Sequence, residues 1–189
     1  MGARRLLTIN TGSSSLKATL YRLRENTTET PELRAEASRI GGRGSLRLAD
    51  ARGETLDERR DDLPDHSAAL DALMSGLRDR GLDREDLAVV GHRIVHGGDR
   101  HREPQRVAPE VVADLRALVP IDPNHLPQAI AAIEAVGQAY PAVPHTVCFD
   151  TAFHSRMPRV ARLYALPSRL AEREHFEVPP EISDWTWTP

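Results

Sequence analysis

The chain has 189 residues, a net charge of -3, 40% hydrophobic and 28% charged residues, enough apolar side chain for one buried core under an ordinary polar surface. Aromatic residues are only 4% and no Lys/Arg-rich run occurs, so no nucleic-acid partner is expected; no stretch approaches the roughly 20 apolar residues of a membrane span, so no membrane partner is expected either. The single cysteine, Cys148, rules out an internal disulfide, and with no signal-like apolar run near Met1 the expected location is cytoplasmic.

In chain order, Arg5 to Asn10 reads as a short strand, followed by a Gly/Ser turn and a second strand from Leu16 to Leu23 with alternating character. Two strands around such a turn form a hairpin whose backbone N–H groups can line an anion site. Leu33 to Ile40, Ser45 to Ala49 and Glu54 to Arg59 read as further exposed strands, with Gly41 to Gly44 and Ala51 to Gly53 as the turns between them. Leu70, Leu73, Met74 and Leu77 recur at helical spacing within His66 to Arg80, and Gly81 supplies a stop. Leu87 to Val95 is a strongly apolar strand. Pro109 to Leu118 and Leu126 to Ala139 read as helices, and Pro144 to Phe149 as another buried strand, with Cys148 a small core residue between Val147 and Phe149. Strands and helices alternate, giving an α/β fold with antiparallel hairpins. A helix-like segment runs to about Glu174, and the last fifteen residues, holding both tryptophans, show no period. The expected division is therefore 1–174 as a folded lobe and 175–189 as a loosely ordered tail.

Three segments at strand ends carry the chemistry. Lys17 is the only lysine among the 25 Lys+Arg, and it follows Asn10-Thr11-Gly12-Ser13-Ser14-Ser15-Leu16. A compact ammonium on a flexible stem reaches a phosphate oxygen as a point charge, which a planar guanidinium does less readily. The Ser13 and Ser15 hydroxyls, the turn amides and Lys17 are the donors a polyphosphate needs, and the Asn10 carbonyl can orient a hydrated Mg²⁺. A plain hairpin turn explains Gly12 and Ser13 equally well, but not the lone lysine. The second segment is Gly91-His92-Arg93-Ile94-Val95-His96-Gly97-Gly98. An arginine on an apolar strand needs either an anionic ligand or an internal carboxylate to offset its burial. His92 and His96 are too far apart along a strand to chelate zinc together, and no third ligand is apparent. The third is Cys148-Phe149-Asp150-Thr151-Ala152-Phe153-His154, where Asp150 follows a buried strand directly, a position suited either to a site residue or to a helix cap. No Walker-type loop and no Gly-x-Ser-x-Gly elbow occurs, so Ser14 has no case as a hydrolase nucleophile.

Taken together these segments resemble the N-terminal half of the acetate kinase family, within the acetate and sugar kinase/Hsp70/actin superfamily. The family's strand, Asn-x-Gly-Ser-Ser-Ser-x-Lys, strand opening corresponds to Leu6 to Lys17, its His-Arg-x-Val-His-Gly-Gly to His92 to Gly98, and its Phe-Asp-Thr-Ala-Phe-His to Phe149 to His154. Met157-Pro158 and Tyr164-Ala165-Leu166-Pro167 continue the likeness, which covers roughly residues 5 to 173. The resemblance implies an actin-like ATPase (ribonuclease H-like) lobe, a mixed sheet with an N-terminal β-hairpin and flanking helices. It implies reversible transfer of the ATP γ-phosphoryl group to acetate, giving acetyl phosphate and ADP. Asn10 is then the Mg²⁺-side ligand; Lys17, with Ser13 and Ser15, contacts ATP phosphate; Arg93 binds the substrate carboxylate. Asp150 is the catalytic residue near the transferring group, and Val95 and Ile121 line a small pocket for the acetate methyl. A homodimer is implied for the full-length family.

The chain also departs from the family. Pro120-Ile121-Asp122-Pro123-Asn124 stands where the family reads Pro-Leu-His-Asn-Pro, so an acid replaces a histidine. The pattern stops soon after Leu166-Pro167, before the family's second phosphate-binding segment, so the second lobe is expected to be missing and the chain inactive alone. The alternatives are a non-catalytic lobe that retains anion-binding groups, and a relative acting on propionate or butyrate. An isolated lobe is also expected to expose apolar surface.

Overall fold

Burial alternates along the first strands and decides which face of the sheet is inside. Leu7 and Ile9 are buried in β1 (Arg5–Thr11), as are Leu16, Ala18 and Leu20 in β2 (Ser15–Arg22), Ala35 and Ala37 in β3 (Thr30–Ser38), and Leu46 and Leu48 in β4 (Gly42–Asp50). A period of two therefore sends one set of side chains into the core and the other outward. The computed structural model describes residues 4–23, 30–82, 84–98 and 100–153. After β5 (Thr55–Leu63) come α1 (His66–Arg78), a 3-10 turn at Arg84–Asp86, β6 (Leu87–Ile94), β7 (Gln105–Arg106), α2 (Pro109–Leu118), α3 (Leu126–Ala139), β8 (His145–Phe149) and the short α4 (Asp150–Phe153).

The strands form one mixed eight-stranded sheet in the order β5-β4-β3-β2-β1-β6-β8-β7. β1 to β5 are an antiparallel meander, while β1 pairs parallel with β6 and β6 parallel with β8. Helix α1 packs under β2 to β5, and α3 under β1 and β6. Two apolar clusters result. One joins the meander to α1, and the other joins Ile94, Val147 and Phe149 to Val111 and Leu115 of α2 and to Leu126, Ile130 and Ile133 of α3. The Asp65 carboxylate accepts from the Ala68 amide at 2.9 Å and caps α1, which fixes where the helix begins beneath the sheet.

The α/β class and the N-terminal hairpin agree with the sequence reading, and differences remain at the strand limits. β5 is longer than expected because its charged side chains on the sheet edge carry little hydrophobic period, and β4 is longer because Gly42 to Gly44, expected as a turn, pairs with β5 as its first three residues. The two-residue β7 is too short to leave a pattern. Cys148 is a correction: it is exposed, because β8 buries His145, Val147 and Phe149, and period two turns residue 148 outward. Among the described residues Leu56 and Ile121 are the exposed large hydrophobics, and an open groove beside α2 is lined by Val107, Ala108, Pro109, Val112 and Ala113. His154, the Met157-Pro158 and Tyr164 to Pro167 segments, the helix-like stretch to Glu174 and the 174/175 division lie outside the described residues.

Candidate functional site

Register across the sheet assembles the site. Asn10 on β1 faces Lys17 on β2 and Arg93 on β6, Lys17 in turn faces Glu36 on β3, and Arg93 faces Cys148 on β8. Directly paired residues share a face. Glu36, Lys17, Asn10, Arg93 and Cys148 therefore form one transverse row on the side of the sheet opposite the buried leucines. Asp150 follows at the first turn of α4.

Arg93 is the centre of this row. Its Nε donates to Asp150 Oδ1 at 2.9 Å, its Nη2 donates to Asp150 Oδ2, and its Nη1 donates to Asn10 Oδ1 at 3.0 Å. The two-point match of guanidinium to carboxylate is the strong form of this ion pair. It answers the question that the apolar strand raised: Arg93 has an internal carboxylate, and its side chain is 48% exposed rather than buried. Asp150 spends both oxygens on Arg93.

Lys17 points away from that pair. Its Nζ lies 3.4 Å from Glu36 Oε1, and both side chains are exposed enough for water to screen the attraction. The turn that carries Ser13 and Ser15 is pinned from three sides. The Gly12 amide donates to the Ser15 carbonyl at 2.8 Å, the Ile40 amide donates to the Ser14 carbonyl at 3.1 Å, and His66 Nε2 lies 2.8 Å from the Gly12 carbonyl. A carbonyl only accepts, so that contact assigns the proton to Nε2 of His66. His66 was not singled out in the sequence. Its one signal is its place as the first residue after the Asp65 cap, where α1 starts under the hairpin.

Behind the row, the Gly97 amide donates to buried Thr151 Oγ1 at 3.1 Å, tying the loop after β6 to the start of α4 and so to Asp150. A Cβ on Gly97 would lie 2.7 Å from the His101 carbonyl oxygen and 2.8 Å from the Phe149 ring, which accounts for the glycine. On the inner face, His92 stacks on His145 with ring centroids 5.4 Å apart and Nε2 3.1 Å from the partner's Nδ1. Burial, with the neighbouring ring adding to it, pushes His92 down to about 3; burial also lowers His145. His96 lies beyond β6, with its Nδ1 accepting from the Gly98 amide at 2.8 Å.

The other expected site residues lie outside this row. Val95 is half-buried just past β6. Ile121, 65% exposed in the α2–α3 turn, belongs to neither apolar cluster. Asp122 lies 2.8 Å through Oδ1 from His125 Nδ1.

A sequence model of the acetokinase family matches residues 5–176. The chain belongs to this family. It is 38% identical over 170 residues to the acetate kinase of Rhodopseudomonas palustris, covering 89% of this chain and 42% of that protein. It is 39% identical over 173 residues to the acetate kinase of Thermotoga maritima, with the same coverages. The crystal structure of Porphyromonas gingivalis acetate kinase superposes with a TM-score of 0.78 at 28% identity, over 93% of this chain and 45% of that one. The fold is thus the actin-like α/β lobe that the three motifs implied, and the chain spans less than half the length of these relatives.

Proposed function

We propose that this lobe supplies the carboxylate- and phosphate-handling half of an ATP-dependent acetate kinase. The observation that carries the reading is the Asn10–Arg93–Asp150 bridge standing in one row with Lys17. Phosphoryl transfer asks little covalent chemistry of a protein; it asks for positioning and for charge to be neutralised where it develops. Arg93 presents its remaining N–H groups to a substrate carboxylate or to the acetyl phosphate product, while Asp150 and Asn10 hold the guanidinium plane. Asp150 acts near the transferring group by fixing that plane. Lys17 leaves its weak contact with Glu36 to reach a nucleotide phosphate oxygen, supported by the Ser13 and Ser15 hydroxyls. Val95, two residues beyond Arg93, and Ile121 flank the acetate methyl.

For Mg²⁺ the chain offers the Asn10 carbonyl oxygen beside the Asp150 carboxylate. Among the described residues no group of three or more His, Cys, Asp or Glu could hold a metal. That donor set fits an ion held mainly by nucleotide phosphates and water, with Asn10 as a neutral ligand, which is the usual manner of Mg²⁺. When bound, such an ion neutralises charge on the transferring phosphoryl group.

Two measurements test the reading. Acetyl phosphate titrated calorimetrically into the chain at low salt is expected to bind saturably, and Arg93→Gln is expected to abolish that binding while the melting curve stays in place. Acyl phosphate trapped with hydroxylamine reports turnover. The 189 residues alone are expected to give none, and a chimera carrying residues 5–153 in place of the matching segment of an active acetate kinase is expected to give product. A chimera that folds and binds ATP yet forms no hydroxamate rejects the proposal.

A further inference from the structure

The open sheet face holds a second concentration of positive charge, away from Arg93. A groove of about 260 Å³ lies over β2, β3 and β4, its polar lining made by Lys17, Thr19, Arg34, Glu36 and Arg47, and it ends at Gly53. Three cations thus surround one carboxylate. Local ion pairs do not balance them. Glu36 is the nearest acid to Lys17. Arg34 faces Thr19 on β2 and Ala49 on β4, neither of them acidic. Arg47 faces two acids, Glu36 on β3 and Glu58 on β5, yet its fork turns to the β4–β5 turn instead: Nε donates to Thr55 Oγ1 at 2.9 Å and Nη2 donates to the Gly53 carbonyl at 3.0 Å.

The turn is built to hold both guanidiniums. Asp50 Oδ1 accepts from the amides of Arg52 and Glu54 at 2.8 and 2.9 Å, which closes the turn, and Gly53 takes a φ of +86° that side chains rarely adopt. A Cβ at Gly53 would lie 3.5 Å from Arg34 Nη1, so the second guanidinium also reaches over this glycine. Arg47 is therefore oriented before any ligand arrives, which lowers the ordering cost of binding, and a guanidinium with five N–H donors keeps several for a guest.

We propose that this groove is an anion site for a linear polyphosphate chain. Lys17 and Arg47 are two interstrand steps apart, about 10 Å at about 4.8 Å per step. A single phosphate does not bridge that span, whereas three linked phosphates do. Forked guanidiniums and a point-charge ammonium are the donors that phosphate oxygens favour. Among the described residues no aromatic side chain lines the groove, so they offer no platform for stacking a base. The site stands independently of the phosphotransfer reading and shares only Lys17 with it.

Sodium tripolyphosphate titrated calorimetrically into the 189-residue chain at low salt tests the proposal. One saturable site is expected. Arg34→Gln and Arg47→Gln should each weaken it about tenfold, the loss of one charge-assisted contact, and Glu36→Gln should tighten it by removing the opposing charge. Arg93→Gln should leave it unchanged. Orthophosphate should bind at least about tenfold more weakly. ATP binding as tightly as tripolyphosphate identifies a triphosphate tail as sufficient, and weaker ATP binding identifies free polyphosphate as the guest. Should either glutamine variant fail to melt cooperatively, Arg34→Lys and Arg47→Lys keep the charge and lose the fork, and they are expected to bind with intermediate affinity. Absence of saturable binding, indifference to changes at Arg34 and Arg47, or binding lost with Arg93→Gln would overturn the assignment.

Discussion

Arg93 spends three of its N–H donors internally, two on Asp150 and one on Asn10. An incoming carboxylate must therefore share the guanidinium with an acid already seated on it. Removing that acid's charge should help an external anion, and Asp150→Asn is expected to tighten acetyl phosphate binding by about tenfold, roughly the difference between a charged and a neutral partner. Stability should move by less than about 1 kcal/mol, because the pair is partly exposed and screened. Unchanged affinity in calorimetry would mean that Asp150 does not compete. Lys17 makes the complementary case. Its partner Glu36 holds it loosely, so the side chain is free to move at little cost, and what it contributes is reach. In the chimera, Lys17→Arg is expected to cut hydroxamate formation at least about tenfold with no change in melting, since a fork cannot replace a point charge in a narrow approach. Equal turnover in that variant would make the lone lysine an accident of composition.

Gly97 shows how an element end positions a site residue. The backbone there passes so close to Phe149 and to the His101 carbonyl that a methyl group does not fit, and its amide fastens the loop to Thr151 beside Asp150. Gly97→Ala is expected to lower unfolding stability by about 1–3 kcal/mol, the usual cost of overpacking, read from the urea midpoint. It should also loosen acetyl phosphate binding, because Thr151 and Asp150 shift together. A midpoint within experimental error of the parent would refute the close contact. The same element shows what could be read beforehand. Strands β1, β2, β6 and β8 were visible because alternating or continuous apolar residues mark them, and the three motifs were visible because each sits at a strand end. Cys148 was misread because its apolar neighbours were weighed as a run rather than as a period of two. The resemblance put Arg93 and Asp150 at one site, but their ion pair, like that of Lys17 with Glu36, was not readable in the sequence. The two pairs depend on cross-strand register and on a connection of more than fifty residues, and neither leaves a local trace in composition.

At the scale of the whole molecule, the sheet has a dry face and a wet face, and acid should attack the dry one first. His92 is 3% exposed and stacked on His145, midway between the two apolar clusters on the strand that carries Arg93. With its folded value near 3 and an ordinary value of 6.5, His92 takes up its proton far more readily in the unfolded chain. The unfolded state therefore binds more protons throughout that window, and stability is complete above about pH 6.5 and falls as pH drops toward 3. Each pH unit removes on the order of 1.4 kcal/mol for the one proton, so about 2 kcal/mol is lost by pH 5. Glu32 adds to this only in stronger acid. Burial opposes its ionisation, but hydrogen bonds and charge from Arg22 and Arg5 outweigh burial and hold its carboxyl below the usual range, so that contribution is lost only below the ordinary carboxylate value. Urea midpoints measured from pH 7 to 5 should thus decline steadily. The decline should flatten in His92→Gln, which buries no titrating ring at that position. A parent chain equally stable at both ends of that range, or a variant as steep as the parent, would show that the buried imidazole pair is not what makes the fold acid-labile.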